Sequence, residues 1–250
     1  MEEIKKEFGR QAGVQQEKEK QIKINFGENL RKFWDLTGNH LMEIYGQYGT
    51  GKSRLVHYLA VEGQNAGYKV IYLDTEGGLS EEHISMLNDY EYIGDELDDL
   101  MKRVYSIKEQ RHNWDILIVD SIGHPVYVHY VQMRSMQEQL KSYQKLAALF
   151  RDMVRFARGE KGKDYGKRKG LAIAVNHTVS EFAKMAKPPE HPLWPFGGQI
   201  HRVPKLILRS EPADTNTFKL ITFKARNLPK EKEICRFTIG SKNIKIQWEV

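Results

Sequence analysis

Residues 46–53 read Gly-Gln-Tyr-Gly-Thr-Gly-Lys-Ser, a full match to G-x-x-x-x-G-K-[ST]. Triphosphate oxygens need several convergent N–H donors, a cation and a metal. Gly46, Gly49 and Gly51 let the chain through Gln47, Tyr48 and Thr50 curl so that successive amides point inward, a concavity that binds anions. Lys52 then reaches the β- and γ-phosphates, and the Ser53 hydroxyl ligates Mg2+. The elements needed to hold such a loop are legible on both sides. Residues 41–45 read as a strand entering it. Residues 54–66 read as the helix leaving it, apolar at Leu55, Val56, Leu59 and Ala60. The first turn of that helix, from Arg54 on, adds partial positive charge under the phosphates. With glycine at ~7% of residues and similar frequencies for the other fixed letters, the pattern arises by chance in on the order of 1% of chains this long. The expected ligand is a nucleoside triphosphate with Mg2+.

Two carboxylates are placed to act on it. Residues 68–73 read as a buried strand that runs into Asp74-Thr75-Glu76-Gly77-Gly78. An acid at the C-terminal end of a strand beside the P-loop strand can point at the γ-phosphate. Glu76 is therefore the candidate general base for an attacking water, with Asp74 as a structural partner. The run from Ile116 to Val119 is four consecutive apolar residues closed by Asp120, a strand buried on both faces with an acid set to hold Mg2+ through water. An apolar run plus Asp is common in parallel sheets, and the upstream P-loop is what makes this one specific. Residues 171–175 form another doubly buried strand, ending at Asn176-His177, whose polar groups fall where the γ-phosphate can be sensed.

The remaining elements frame these. Residues 1–21 are almost wholly polar and read as a loosely held helix or an arm; the globular part begins at residues 22–26, with a short helix over 27–36. Ser80 is placed as an N-cap, followed by Glu81 and Glu82. Residues 89–99 carry six acids in eleven positions, a solvated helix-and-turn region, and 103–107 read as a strand. Residues 122–135 lack clean periodicity, and 137–158 form a long amphipathic helix. The lysine-rich connector 159–170 joins a helix to the start of a strand, at the edge of the sheet away from the phosphates, so it is read as solvated. Residues 178–199 are an irregular stretch interleaving Phe182, Trp194 and Phe196 with Lys184 and Lys187. The rest reads as an antiparallel run over 205–209, 217–225, 233–239 and 242–249.

The chain has 250 residues, 40% hydrophobic and 29% charged, ordinary for a globular α/β domain. Its longest apolar runs are a few residues, too short to span a bilayer, and the first twenty residues are too charged for a secretory signal. The single cysteine, Cys235, can form no internal disulfide and reads as a small core residue in a reducing, cytoplasmic compartment. The net charge is +6, divided as −5 over residues 1–150 and +11 over 151–250. That asymmetry suits a polyanionic partner, and a basic solvated surface would produce it too.

Taken together, the P-loop, Asp74–Gly78, the strand ending at Asp120-Ser121, Pro195-Phe196-Gly197-Gly198-Gln199 and Lys224-Ala225-Arg226-Asn227-Leu228-Pro229 resemble a RecA-family ATPase core, most of all the RadB family of archaeal recombinase paralogues. The resemblance implies an α/β, RecA-like P-loop NTPase fold over residues 22–250, behind the polar arm of 1–21. It implies a mostly parallel twisted sheet flanked by helices with a C-terminal antiparallel extension. It implies ATP and Mg2+, with Glu76 as the catalytic glutamate. Lys224 and Arg226 fall where the family has cations that reach a neighbouring subunit's ATP. Residues 122–135 and 178–199 match the family's two DNA loops. His83 lies near the family's adenine-stacking residue, and His177 stands where the family usually has glutamine.

The expected function is an ATP-binding, single-strand-DNA-binding accessory in homologous recombination and DNA repair, with weak or DNA-stimulated hydrolysis. Its expected partners are DNA, further copies with ATP at the interface, and a recombinase, with no membrane. Tyr127, Arg134, Phe182, Lys184, Lys187 and Trp194 are the candidate DNA contacts, each aromatic reading equally as a loop anchor. A KaiC-like regulatory ATPase that touches no nucleic acid is the alternative, ahead of a hexameric helicase motor.

Overall fold

Runs of five or six residues with no exposed side chain make the centre of the molecule. In the computed structural model, residues 27–159, 170–178, 203–241 and 243–249 are described. The chain order begins α1 (Glu28–Thr37), β1 (Leu41–Tyr45), α2 (Lys52–Asn65), β2 (Val70–Asp74), α3 (Glu81–Ile84), β3 (Tyr90–Tyr92) and α4 (Leu97–Glu109). A 3-10 turn (Arg111–Asn113) leads to β4 (Ile116–Asp120), α5 (Gly123–Gln132), α6 (Met136–Arg158) and β5 (Leu171–Asn176). The chain closes with β6 (Leu206–Asp214), β7 (Thr217–Lys224), β8 (Glu233–Ile239) and β9 (Ile244–Trp248).

The strands form one sheet in the order β3-β2-β4-β5-β1-β6-β7-β8-β9. Pairing is parallel from β3 through β6 and antiparallel from β6 to β9. Every residue of β1, β2, β4 and β5 is buried, as a parallel sheet covered on both faces requires. Leu41, Ile71, Leu117 and Ala172 face a core shared with α4, α5 and α6. Met42, Val70, Ile118 and Ile173 face α1, α2 and the C-terminal strands. This is the α/β architecture expected from the sequence, antiparallel extension included.

Local chemistry fixes the helices. Helix α6 starts at a reciprocal cap: Ser135 Oγ accepts the Glu138 N–H at 3.2 Å, and Glu138 Oε2 accepts the Ser135 N–H at 3.3 Å. Helix α1 has no cap of its own. Glu62 of α2 supplies one, its buried carboxylate accepting the Asn29 and Leu30 N–H groups at 3.0 and 3.2 Å. Gly63 lets α2 lie close on the sheet, since a Cβ there would stand 3.0 Å from Leu30 and 3.2 Å from Ile116 and Val70.

Four expectations are corrected. Residues 103–107 are helical, within α4, where Leu97, Leu100, Val104 and Ile107 are buried at spacings of three and four. Residues 122–135, expected as a loop, contain the ten-residue helix α5, with Pro125 in its first turn, where no intrahelical bond is lost. The acidic stretch includes a strand, β3, paired on β2. Ser80 makes no side-chain cap bond; its hydroxyl pairs with His83 Nδ1 at 2.5 Å.

Candidate nucleotide-binding site

Strand register brings the site together. Tyr45 lies opposite Asn176 and Asp74 opposite Asp120, so β1, β2, β4 and β5 end level with one another. The residues that follow, Gly46, Glu76, Ser121 and His177, therefore emerge at one edge of the sheet.

The phosphate loop is seated on the antiparallel extension. A Cβ on Gly46 would lie 2.4 Å from the Ser210 carbonyl of β6. Gly51 has φ +76°, and a Cβ there would meet Ile239 and Phe237 of β8 at 2.9 Å. Ser210 Oγ donates to the Thr50 carbonyl and Thr50 Oγ1 to the Gln47 carbonyl, both at 2.7 Å. Lys52 Nζ is turned back on its own loop, 2.8 Å from the Gly46 carbonyl and 2.7 Å from that of Gln47. Those are two of the contacts that a phosphate oxygen would take over. Tyr48 of the loop is 56% exposed, and its ring packs on His177.

Ser53 Oγ donates to Asp120 Oδ1 at 3.2 Å, and the Tyr72 phenol donates to Asp120 Oδ2 at 2.5 Å. Burial raises the Asp120 carboxyl to about 6, against the opposing bonds from Tyr72 and Ser53. A hydroxyl and a carboxylate side by side are hard oxygen donors, which suits Mg2+ held jointly by protein and phosphate. Glu76 Oε1 accepts from Ser121 Oγ and lies 2.7 Å from His177 Nε2. Burial opposes its ionisation, yet the bonds from His177 and Ser121 outweigh it and hold the carboxyl down at about 2. Glu76 is thus a carboxylate at any ordinary pH. Asp74 accepts the Glu76 and Gly77 N–H groups, both at 2.9 Å, and the Tyr90 phenol at 3.0 Å, and so shapes the turn that presents Glu76.

A cleft runs along α2 beside the loop, lined by Arg54, His57, Tyr58, His83, Met86 and Asn243 among others. His57 Nε2 lies 2.8 Å from the His83 carbonyl, and the two imidazoles meet edge to face at 4.9 Å. Burial lowers both, and His57 donates to that carbonyl.

The family model described as an AAA domain matches residues 39–159, from the P-loop strand to the end of α6. The chain is 33% identical over 91 residues to the DNA repair and recombination protein RadA of Methanoculleus marisnigri, covering 32% of this chain and 28% of that protein. It is 30% identical over 82 residues to the DNA repair and recombination protein RadB of Methanosphaera stadtmanae, covering 33% of each. These matches span about a third or less of the length of the curated relatives. The crystal structure of the RadB recombinase superposes with a TM-score of 0.59 at 22% identity, covering 85% of this chain and 94% of that one. The chain has a RecA-type P-loop fold similar to RadB.

Within this RecA-type core the other candidates scatter. Lys224 pairs in register with Ile207, and neighbouring Leu206 with Met42 at the start of β1. Lys224 and Arg226 therefore lie at the pole opposite the P-loop, with Lys224 Nζ donating to the Pro204 carbonyl at 2.8 Å. Tyr127 is half-buried on α5, and Arg134 is exposed in the α5–α6 link. Phe182, Lys184, Lys187 and Trp194, like the arm of residues 1–21, fall outside the described residues. Sequence reasoning missed Tyr72, Ser210 and the hydroxyl of Ser121 as site residues, because their contacts depend on strand register.

Proposed function

We propose that this chain binds ATP with Mg2+ at residues 46–54 and hydrolyses it slowly, as a DNA-binding accessory in homologous recombination and DNA repair. The observation that carries the reading is the meeting of Ser53, Asp120 and Glu76 at the mouth of the P-loop, with Ser53 Oγ 3.2 Å from Asp120. Lys52 leaves the Gly46 and Gln47 carbonyls for the β- and γ-phosphates, and the α2 N-terminus faces the same oxygens. Ser53 and Asp120 would hold Mg2+, which supplies charge neutralisation at the phosphates. Glu76, charged throughout, orients and polarises the attacking water. His83 and Arg54 flank the adenine in the cleft along α2, and His177 stands behind Glu76.

The relatives' names, DNA repair and recombination proteins RadA and RadB, support the biological setting, and the +11 charge of residues 151–250 supports a nucleic-acid partner. Arg134, Lys184 and Lys187 are the phosphate contacts in this reading, with Tyr127, Phe182 and Trp194 stacking on bases. Lys224 and Arg226 sit too far from their own P-loop to touch its phosphates, and they act on the ATP of a neighbouring copy. A recombinase is the expected protein partner. Among the described residues no helix is long and apolar enough to cross a membrane.

The test is ATP hydrolysis with and without single-stranded DNA at two salt concentrations. The reading expects slow turnover that DNA stimulates, with the stimulation lost at high salt as counterions compete for the phosphates. Turnover that never responds to DNA, in a protein that binds none at low salt, supports the KaiC-like alternative.

A further inference from the structure

Tyr48 and His177 come from different loops, and neither side chain is needed to build the phosphate cradle or the metal pair. Yet the exposed Tyr48 ring packs on the His177 imidazole with 4.5 Å between centroids and 35° between planes. His177 is only 3% exposed, and beyond that ring it reaches Glu76 Oε1 at 2.7 Å and Ser121 Oγ at 3.1 Å. Its backbone N–H donates to Asn176 Oδ1 at 2.8 Å, and Asn176 Nδ2 donates to the buried Glu43 of β1 at 2.8 Å. The backbone at His177 is thereby tied to the P-loop strand, while the imidazole is covered by Tyr48 of the P-loop itself.

Both donors on Glu76 converge on one oxygen, Oε1. Among the described residues, none is shown bonding Oε2, and the side chain is 30% exposed. With Oε1 held by two donors, Oε2 is the oxygen available to a water. The same loop that carries Tyr48 is closed by Lys52 on the Gly46 and Gln47 carbonyls. A triphosphate that takes the Lys52 ammonium draws it off the carbonyl of Gln47, the residue next to Tyr48.

We propose that Tyr48, His177 and Glu76 form a relay by which occupancy of the phosphate loop sets the orientation of the general base, with His177 as its positioning residue. The relay rests on the ATPase reading above. His177 makes no contact with phosphate in this proposal; it acts through Glu76, and Tyr48 acts through His177.

Steady-state hydrolysis, equilibrium Mg-ATP binding and imidazole NMR on the full chain test it. His177→Ala lowers kcat about tenfold or more, since a misplaced catalytic group loses rate steeply. Its Kd for Mg-ATP stays within about threefold, because no ground-state contact is removed. His177→Gln recovers most of the lost kcat, its amide N–H donating to the same Glu76 oxygen. Tyr48→Leu also lowers kcat, and adding it to His177→Ala causes no further loss, as expected for two steps of one path. Without nucleotide, Tyr48→Leu moves the His177 ring C–H resonances by removing the ring current, and Mg-ATP added to the wild type moves the same resonances. An unchanged kcat in His177→Ala overturns the relay. So does a double variant whose loss equals the product of the two single losses, or a His177 ring that Mg-ATP leaves unmoved. A wild-type chain that binds no Mg-ATP overturns the ATPase reading instead.

Discussion

At the residue scale, Asp120 is a buried acid whose two oxygens are held by its neighbours. Its carboxylate lies under the sheet edge with Ser53 on one oxygen and the Tyr72 phenol on the other. Tyr72→Phe leaves Oδ2 without that donor. The expected loss of stability is ~1–3 kcal/mol, the cost of an unsatisfied buried acceptor. Thermal unfolding reads it as a fall in Tm of several degrees for a chain this size. An unchanged Tm would show that water replaces the phenol. Lys52, Ser53, Glu76 and Asp120 were legible in the sequence because each sits at a fixed covalent offset from a glycine loop or a strand end. Tyr72, Ser210 and the hydroxyl of Ser121 were not. Tyr72 looks like any β-branched or aromatic strand position until β2 is paired with β4, and Ser210 matters only once β6 is laid beside β1.

At the element scale, the start of β1 carries a buried histidine in a basic setting. His40 is 6% exposed, and its Nδ1 has no hydrogen-bond partner among the described residues. Burial first, then the charges of Arg158, Lys205, Arg226 and Lys224, push its imidazole down to about 3. The folded chain therefore keeps His40 neutral where the unfolded chain takes up a proton near 6.5. Stability is unaffected above that pH and falls on acidification between about 6.5 and 3, by on the order of 1 kcal/mol per pH unit. His40→Leu should flatten the slope of unfolding free energy against pH in that window; an unaltered slope would mean that His40 protonates without penalty. Strands β2, β4 and β5 were readable because four or five consecutive apolar residues bounded by polar ones leave little choice but a doubly covered strand. Residues 103–107 were misread for a related reason. Val104, Tyr105 and Ile107 favour strands locally, and burial of Leu97 and Leu100 on the same side decides for a helix. Helix α5 was hidden by its glycine and proline, which signal a loop unless they fall in a first turn.

At the scale of the whole molecule, the two ends of the sheet carry different charges. The carboxylates and the P-loop share one pole, while Lys224 and Arg226 lie at the other, beside the start of β6. If copies stack pole to pole, each ATP is completed by the next copy's cations. A mixture of Lys52→Ala chains, unable to hold ATP but with cations intact, and Arg226→Ala chains, with the reverse defect, should then recover part of the lost hydrolysis. A mixture that gives only the sum of its parts, with a monomer in sedimentation at saturating ATP, contradicts assembly through this pole. The claim on which all of this depends is that residues 46–54 hold ATP and Glu76 acts on it. Its most direct test is Mg-ATP binding and hydrolysis measured side by side in wild type, Lys52→Ala and Glu76→Gln. The expected result is that Lys52→Ala loses tight binding, while Glu76→Gln binds as the wild type does and loses at least about a hundredfold in turnover. Wild-type turnover in Glu76→Gln, or undiminished binding in Lys52→Ala, would contradict it.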